Sequence, residues 1–129
     1  MHITHLDHLV LTVRDIDATV RFYVDVLGMR GETFGDGRVA LCFGTQKINL
    51  HRAGHEFEPK AARPSPGSAD LCLIVDTPLG EAMEEIRRHG VAIESGPVPR
   101  TGAQGAMTSF YLRDPDENLI EIASYAPVD

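Results

Sequence analysis

Tryptophan is absent from this 129-residue chain and aromatic residues make up only 6%, which leaves little surface for stacking a large planar ligand. Cysteine is scarce. Cys42 and Cys72 are the only two, and both fall inside apolar, strand-like runs, so they read as buried thiols in a reducing cytoplasm rather than a disulfide framework. Positive charge is short as well: 12 Lys and Arg stand against 19 Asp and Glu, a net charge of -7. That balance argues against nucleic acid or an anionic membrane as the partner, because both require a basic surface. No apolar run approaches the roughly 20 residues that span a bilayer. The opening Met1-His2-Ile3-Thr4-His5 also lacks the charged-then-apolar order of a secretory signal. What is present is ordinary for one domain with a real core: 43% hydrophobic and 24% charged residues.

The chain repeats a pattern, faint in identity but clear in order. His8-Leu9-Val10-Leu11-Thr12-Val13 is a β-rich run ending at Arg14-Asp15, and 62 positions later Asp70-Leu71-Cys72-Leu73-Ile74-Val75 runs into Asp76-Thr77. Each run leads into a helix start, with Asp15 and either Asp76 or Thr77 as cap candidates. Ile16, Val20, Tyr23 and Leu27 share one face of the first helix; Leu79, Met83 and Ile86 share one face of the second. Gly28 and Gly90 are natural C-caps, and Pro78 suits a first turn, where no amide bond is lost. Three further strands follow each helix, expected at 29–35, 38–43 and 46–51, then at 91–96, 106–113 and 118–123. The last strands align at an offset of 72, Ile48 with Ile120, so the second half carries about ten extra residues. The segment 96–105, with two prolines and three glycines, reads as that inserted loop. The expected organisation is one α+β domain of two βαβββ modules, about 4–52 and 68–125, joined by a linker at about 53–67.

Strand side chains alternate between faces. Leu9, Leu11 and Val13 are expected under the first helix, with Leu71, Leu73 and Val75 under the second. On the other faces this leaves His8 on the first strand, Asn49 and His51 on the fourth, Asp70 on the fifth and Glu121 on the eighth. Imidazole and carboxylates suit a divalent metal that prefers nitrogen and oxygen ligands. Alternation alone also puts polar residues on any solvated sheet face, and that reading stays open at this point.

The paired modules, the opening Leu6-Asp7-His8-Leu9-Val10-Leu11-Thr12-Val13, the Phe22-Tyr23…Val26-Leu27-Gly28 helix ending and the closing Asp114-Pro115-Asp116-Glu117-Asn118-Leu119-Ile120-Glu121-Ile122 together resemble the vicinal oxygen chelate superfamily of glyoxalases, bleomycin resistance proteins and extradiol dioxygenases. The resemblance covers nearly the whole chain. It implies a glyoxalase-like fold whose curved sheets enclose a cavity, and a divalent ion (Zn, Ni, Mn or Fe(II)) held at positions matching His8, Asn49, Asp70 and Glu121. His8 and Glu121 follow the family pattern. Asp70 stands where histidine is common, and Asn49 where glutamate, histidine or glutamine is usual; His51, two residues on, can supply an imidazole instead.

The resemblance further implies a small-molecule substrate and Lewis-acid chemistry with Glu121 or Asp70 as general base; two short modules, each an open sheet with exposed edges that need covering, predict a homodimer. Arg100, in the inserted segment expected to close over the cavity mouth, is a candidate partner for an anionic group of the substrate, with Asn49 as a second contact. Fold does not choose the reaction. A glyoxalase-type lyase or isomerase is the first expectation. A non-catalytic, antibiotic-type binding protein and an extradiol-type dioxygenase are the alternatives.

Overall fold

The computed structural model describes residues 1–127, and the chain divides into two compact units, Met1–Ser68 and Ala69–Asp129. Each repeats one template, an α+β arrangement of a four-stranded mixed sheet with one helical segment.

In the first unit β1 (His8–Val13) leads into α1 (Ile16–Arg21), and β2 (Arg30–Phe34), β3 (Arg38–Phe43) and β4 (Gln46–Arg52) follow. The strand order is β1-β4-β3-β2, with β1 parallel to β4 and the remaining pairs antiparallel. Asp15 caps α1, its carboxylate accepting from the Ala18 amide at 2.9 Å. Sequence periodicity predicts one helix through Leu27, but a wider π-helical turn replaces it over Phe22–Val26, where the Leu27 amide donates to Phe22 O. The buried positions are consequently Thr19 and Tyr23, while Ile16, Val20 and Leu27 stay half-buried. Gly28, at φ 75°, then turns the chain into β2. Leu11, Val13, Leu41, Ile48 and Leu50 form the core on the helix side of this sheet.

In the second unit β5 (Asp70–Ile74) leads into α2 (Leu79–Arg88), followed by β6 (Ser95–Gly102), β7 (Gly105–Arg113) and β8 (Leu119–Ser124). The order β5-β8-β7-β6, with β5 parallel to β8, copies the first sheet. Leu79, Ala82, Met83 and Ile86 are buried on α2, with Phe110, Leu112, Ile120 and Ile122 on the sheet. Neither Asp76 nor Thr77 caps α2. Pro78 itself holds the N-cap position, and no side chain caps the turn. Beyond Gly90 the Val91 amide returns to Ile86 O, closing the helix C-terminus.

Two expectations are corrected here. The segment 96–105 is not a loop, and no strand occupies 91–94: β6 runs from Ser95 to Gly102 and forms a hairpin with β7, in which Gly102 pairs with Gly105. Prolines 97 and 99 signal a loop, but β6 is an edge strand, where a missing amide breaks no ladder. Only Cys42 is buried; Cys72 is solvent-exposed. Cys42 lies on interior strand β3 and Cys72 on edge strand β5, a distinction that apolar flanking residues do not carry. No helix among the described residues is long and apolar enough to cross a membrane.

Candidate functional site

The registers place the polar side chains left over by each core on the helix-free face of its own sheet. In the first unit Val10 pairs with Asn49 and Thr12 with His51, so β1 and β4 present His8, Asn49 and His51 on one side. Ala40 and Cys42 of β3 and Arg30, Glu32 and Phe34 of β2 continue that face. In the second unit Cys72 pairs with Glu121 and Glu121 with Tyr111, and Ser109 lies two residues from Tyr111 on the same side.

Four buried side-chain atoms among the described residues lack any hydrogen-bond partner: Asn49 Oδ1, His51 Nε2, Ser109 Oγ and Glu121 Oε2. All four lie on helix-free faces. A buried polar group without a partner costs roughly 1–3 kcal/mol, so such groups on one kind of surface point to a ligand rather than to packing. Asn49 and His51 are 6% and 3% exposed. Burial, and then the nearby Arg38 guanidinium, hold the His51 imidazole below its usual range, against the opposing Glu56 carboxylate. The ring is therefore neutral near pH 7 and retains a lone pair for a ligand.

His8 is more open. Its Nδ1 lies 2.8 Å from Asp7 Oδ1, and that hydrogen bond is the main reason the Asp7 carboxyl sits below its ordinary range. A carboxylate on one ring nitrogen fixes the tautomer and leaves Nε2 for another partner, the arrangement that commonly backs a metal-bound histidine. Asp70 is exposed at the first position of β5. Cys72 is exposed as a residue, but its thiol is partly desolvated by its neighbours; that desolvation first, and then the Glu121 and Asp70 carboxylates, push the thiol up to about 11. Arg100 does not lie on a loop. It stands on β6, where its Nε donates to Tyr111 Oη at 2.8 Å and its guanidinium lies 5.5 Å from the ring centroid.

Imidazoles and carboxylates with unpartnered atoms are the donor types taken by a divalent ion of nitrogen and oxygen preference. Among the described residues no three His, Cys, Asp or Glu side chains gather closely enough to form a group that could hold an ion. What each unit brings together is smaller: His8, Asn49 and His51 on one face in the first, Cys72 and Glu121 as neighbours in the second.

The linker segment Glu56–Lys60, readable from the sequence as a further wall, supplies Phe57, which packs edge-on to His51 with ring centroids 5.5 Å apart and lies 4.7 Å from the Arg38 guanidinium. Other residues of these faces escape sequence reasoning. Lys47 Nζ sits 3.8 Å from the Phe34 ring centroid. Strand alternation places Arg38 and Lys47 on the same side as Asn49, and that was the available signal. Ser109 and Tyr111 could have been found in the same way on β7.

The comparisons agree with this fold. A family model described as the Glyoxalase/Bleomycin resistance protein/Dioxygenase superfamily matches residues 5–122. The virulence protein STM3117 of Salmonella typhimurium is 58% identical over 125 residues, 97% of this chain and 87% of that protein. The glyoxalase domain-containing protein RDO1 of Mycosarcoma maydis is 52% identical over 125 residues, 97% of this chain and 70% of that one. Among solved structures, an integron cassette protein from the mobile metagenome of V. cholerae superposes with a TM-score of 0.96 at 63% identity, covering 98% of both chains.

Proposed function

Because the chain belongs to the glyoxalase/bleomycin resistance protein/dioxygenase superfamily, we propose that it is a divalent-metal-dependent lyase or isomerase of the glyoxalase type, acting on a small oxygenated metabolite or thiol adduct. The observation that carries this reading is the set of buried, unpartnered atoms on the helix-free faces, His51 Nε2 and Glu121 Oε2 above all. Within the first unit His8 and His51 are the candidate ligands, with Asp7 positioning His8 through the 2.8 Å contact; within the second, Asp70 and Glu121 are. When bound, the ion supplies Lewis acidity to neighbouring substrate oxygens, worth several kcal/mol of charge stabilisation.

The protein's own part is proton transfer and orientation. The general base is whichever of Glu121 and Asp70 the ion does not fully engage; Glu121 Oε2 is buried and free of hydrogen bonds. Asp70, exposed to solvent at the start of β5, can pass a proton to water. Asn49 Oδ1 accepts a hydrogen bond from a substrate hydroxyl, and Arg100, already held by Tyr111, steers an anionic group.

Metal analysis of untagged protein by inductively coupled plasma mass spectrometry tests the assignment. Near-stoichiometric metal is expected in the wild type, with at least about ten-fold less retained after dialysis in His8→Ala and Glu121→Ala, the scale on which ligand and supporting residues act. Wild-type protein that stays metal-free after dialysis against zinc, nickel, manganese or anaerobic iron(II) would overturn it. The antibiotic-type binding reading, in which the same faces take a ligand without chemistry, would then stand in its place.

The reading includes a homodimer. Each sheet ends in edge strands, β1 and β2 in one and β5 and β6 in the other, and exposed edges are commonly covered by a second chain. Sedimentation equilibrium is expected to give twice the 14.1 kDa chain mass; a monomer across the working concentration range contradicts this.

A further inference from the structure

In a chain of net charge -7, strands β2–β4 of the first unit place three cations, Arg30, Arg38 and Lys47, and a single carboxylate, Glu32, on the helix-free face. Glu32 is engaged by Cys42, whose Sγ donates to it at 3.1 Å. Arg38 and Lys47 are half-buried, and neither has a carboxylate at ion-pair distance among the described residues. Both instead lie against the Phe34 ring, at 5.4 Å and 3.8 Å from its centroid, and Arg38 also lies over Phe57 at 4.7 Å. Two like charges gathered on one ring repel each other, and the aromatic faces recover only part of the lost hydration. Beside them are two side chains more than nine-tenths buried, Asn49 and His51, each with a polar atom that has no partner. Val39 pairs with Leu50, which sets Arg38 next to His51.

We propose that Arg38 and Lys47 anchor the carboxylate of a small organic acid on this face, with Phe34 and Phe57 as its apolar wall and Asn49 bonding a second oxygen function of the same molecule. A carboxylate supplies the charge that the pair lacks. Guanidinium and ammonium together bind it more tightly than either alone, because each attraction acts beside low-dielectric ring surface. The absence of tryptophan and the modest ring area favour a compact acid over an extended planar one. Arg38 and Lys47, rather than Arg100, become the principal specificity determinants for the acid group.

This inference rests on the helix-free faces being the small-molecule surface, and the test uses metal-free protein so that failure of the metal assignment leaves its result readable. Malate, succinate and inorganic phosphate are titrated into EDTA-treated, ¹⁵N-labelled protein and followed by amide chemical shifts. Malate is expected to move resonances of β3 and β4, to bind more tightly than succinate or phosphate, and to weaken as salt is raised. Arg38→Met and Lys47→Met are each expected to lose at least about ten-fold in affinity, the scale set by removing one charge-assisted hydrogen bond. Arg38→Lys should retain part of the binding, and Arg63→Met, a linker charge, all of it. If Arg38→Met does not fold, Lys47→Met and Arg38→Lys carry the comparison. The proposal is overturned if malate leaves β3 and β4 unmoved, if both methionine variants bind like the wild type, if phosphate binds better than malate, or if malate binds only after metal is added.

Discussion

Asp114→Ala is expected to destabilise the chain by about 4 kcal/mol, a large share of the roughly 5–15 kcal/mol by which a domain of this size is stable. Asp114 is 5% exposed. Its Oδ1 accepts the backbone amides of Asp116 and Asn118, both at 2.9 Å, and its Oδ2 accepts from Asn118 Nδ2 at 2.8 Å. Alanine strips the partner from three buried donors at once, and each such loss costs roughly 1–3 kcal/mol. The damage extends beyond the turn. Asn118 Oδ1 accepts from the Ala69 amide at 2.9 Å, and the Leu119 amide donates to Ala69 O at 3.1 Å, so the Asp114–Asn118 pair ties the β7–β8 turn to the start of β5. That tie sets the parallel register in which Cys72 faces Glu121. Calorimetry is expected to show a melting point lower by roughly 10–15 °C. Asp114→Asn, which keeps one acceptor oxygen, should fall between. A shift of less than about 2 °C in the alanine variant would mean that water replaces the lost acceptor.

Gly96→Ala is expected to cost about as much, by a different route. Gly96 has φ 111°, and a Cβ there would stand 2.7 Å from Phe110 Cα and 2.7 Å from Ser109 O. These are backbone and near-backbone atoms of β7, which cannot move aside as the end of a flexible side chain can. Backbone strain of about 1–3 kcal/mol therefore adds to an overpacking term of similar size. Gly105→Ala provides the contrast: its φ is 120°, but a Cβ meets nothing within 4 Å. Urea denaturation of the two variants should separate the terms, with Gly105→Ala losing only the conformational part. Equal losses would show that the clash is relieved by a shift of β6. Such a shift would also carry away Arg100 and its 2.8 Å bond to Tyr111.

The Asp114 result bears on how sequence signatures are read. Asp114-Pro115-Asp116-Glu117-Asn118 is the most specific family motif in the chain, and its place just before Glu121 invites a chemical interpretation. In the structure its polar groups are spent on the turn. Asp114 and Asn118 bond each other and the backbone, and Glu117 adopts the left-handed region at φ 68°. The residue facing away from the helix is Glu121, two places into β8. Motif specificity here reports a demanding turn. Site chemistry follows it in sequence but does not belong to it.

The amino-acid sequence by itself determined the features governed by near neighbours. The strand–helix–three-strand template, the glycine helix ends at 28 and 90, and the sorting of His8, Asn49, His51 and Glu121 away from each core all follow from periods of 2 and 3.6 residues and from local turn chemistry. Tertiary structure alone decided what depends on a strand's place in its sheet or on residues distant along the chain. Edge position turned the proline-rich 95–102 segment into β6, exposed Cys72, and left Cys42 buried on interior β3. The meeting of Phe57 with His51 and Arg38, and of Lys47 with Phe34, needs a linker and three strands to be in place first. Alternation states which face a side chain takes, because adjacent peptides settle it. Which partners that face receives is settled by sheet order, and no short window of sequence contains it.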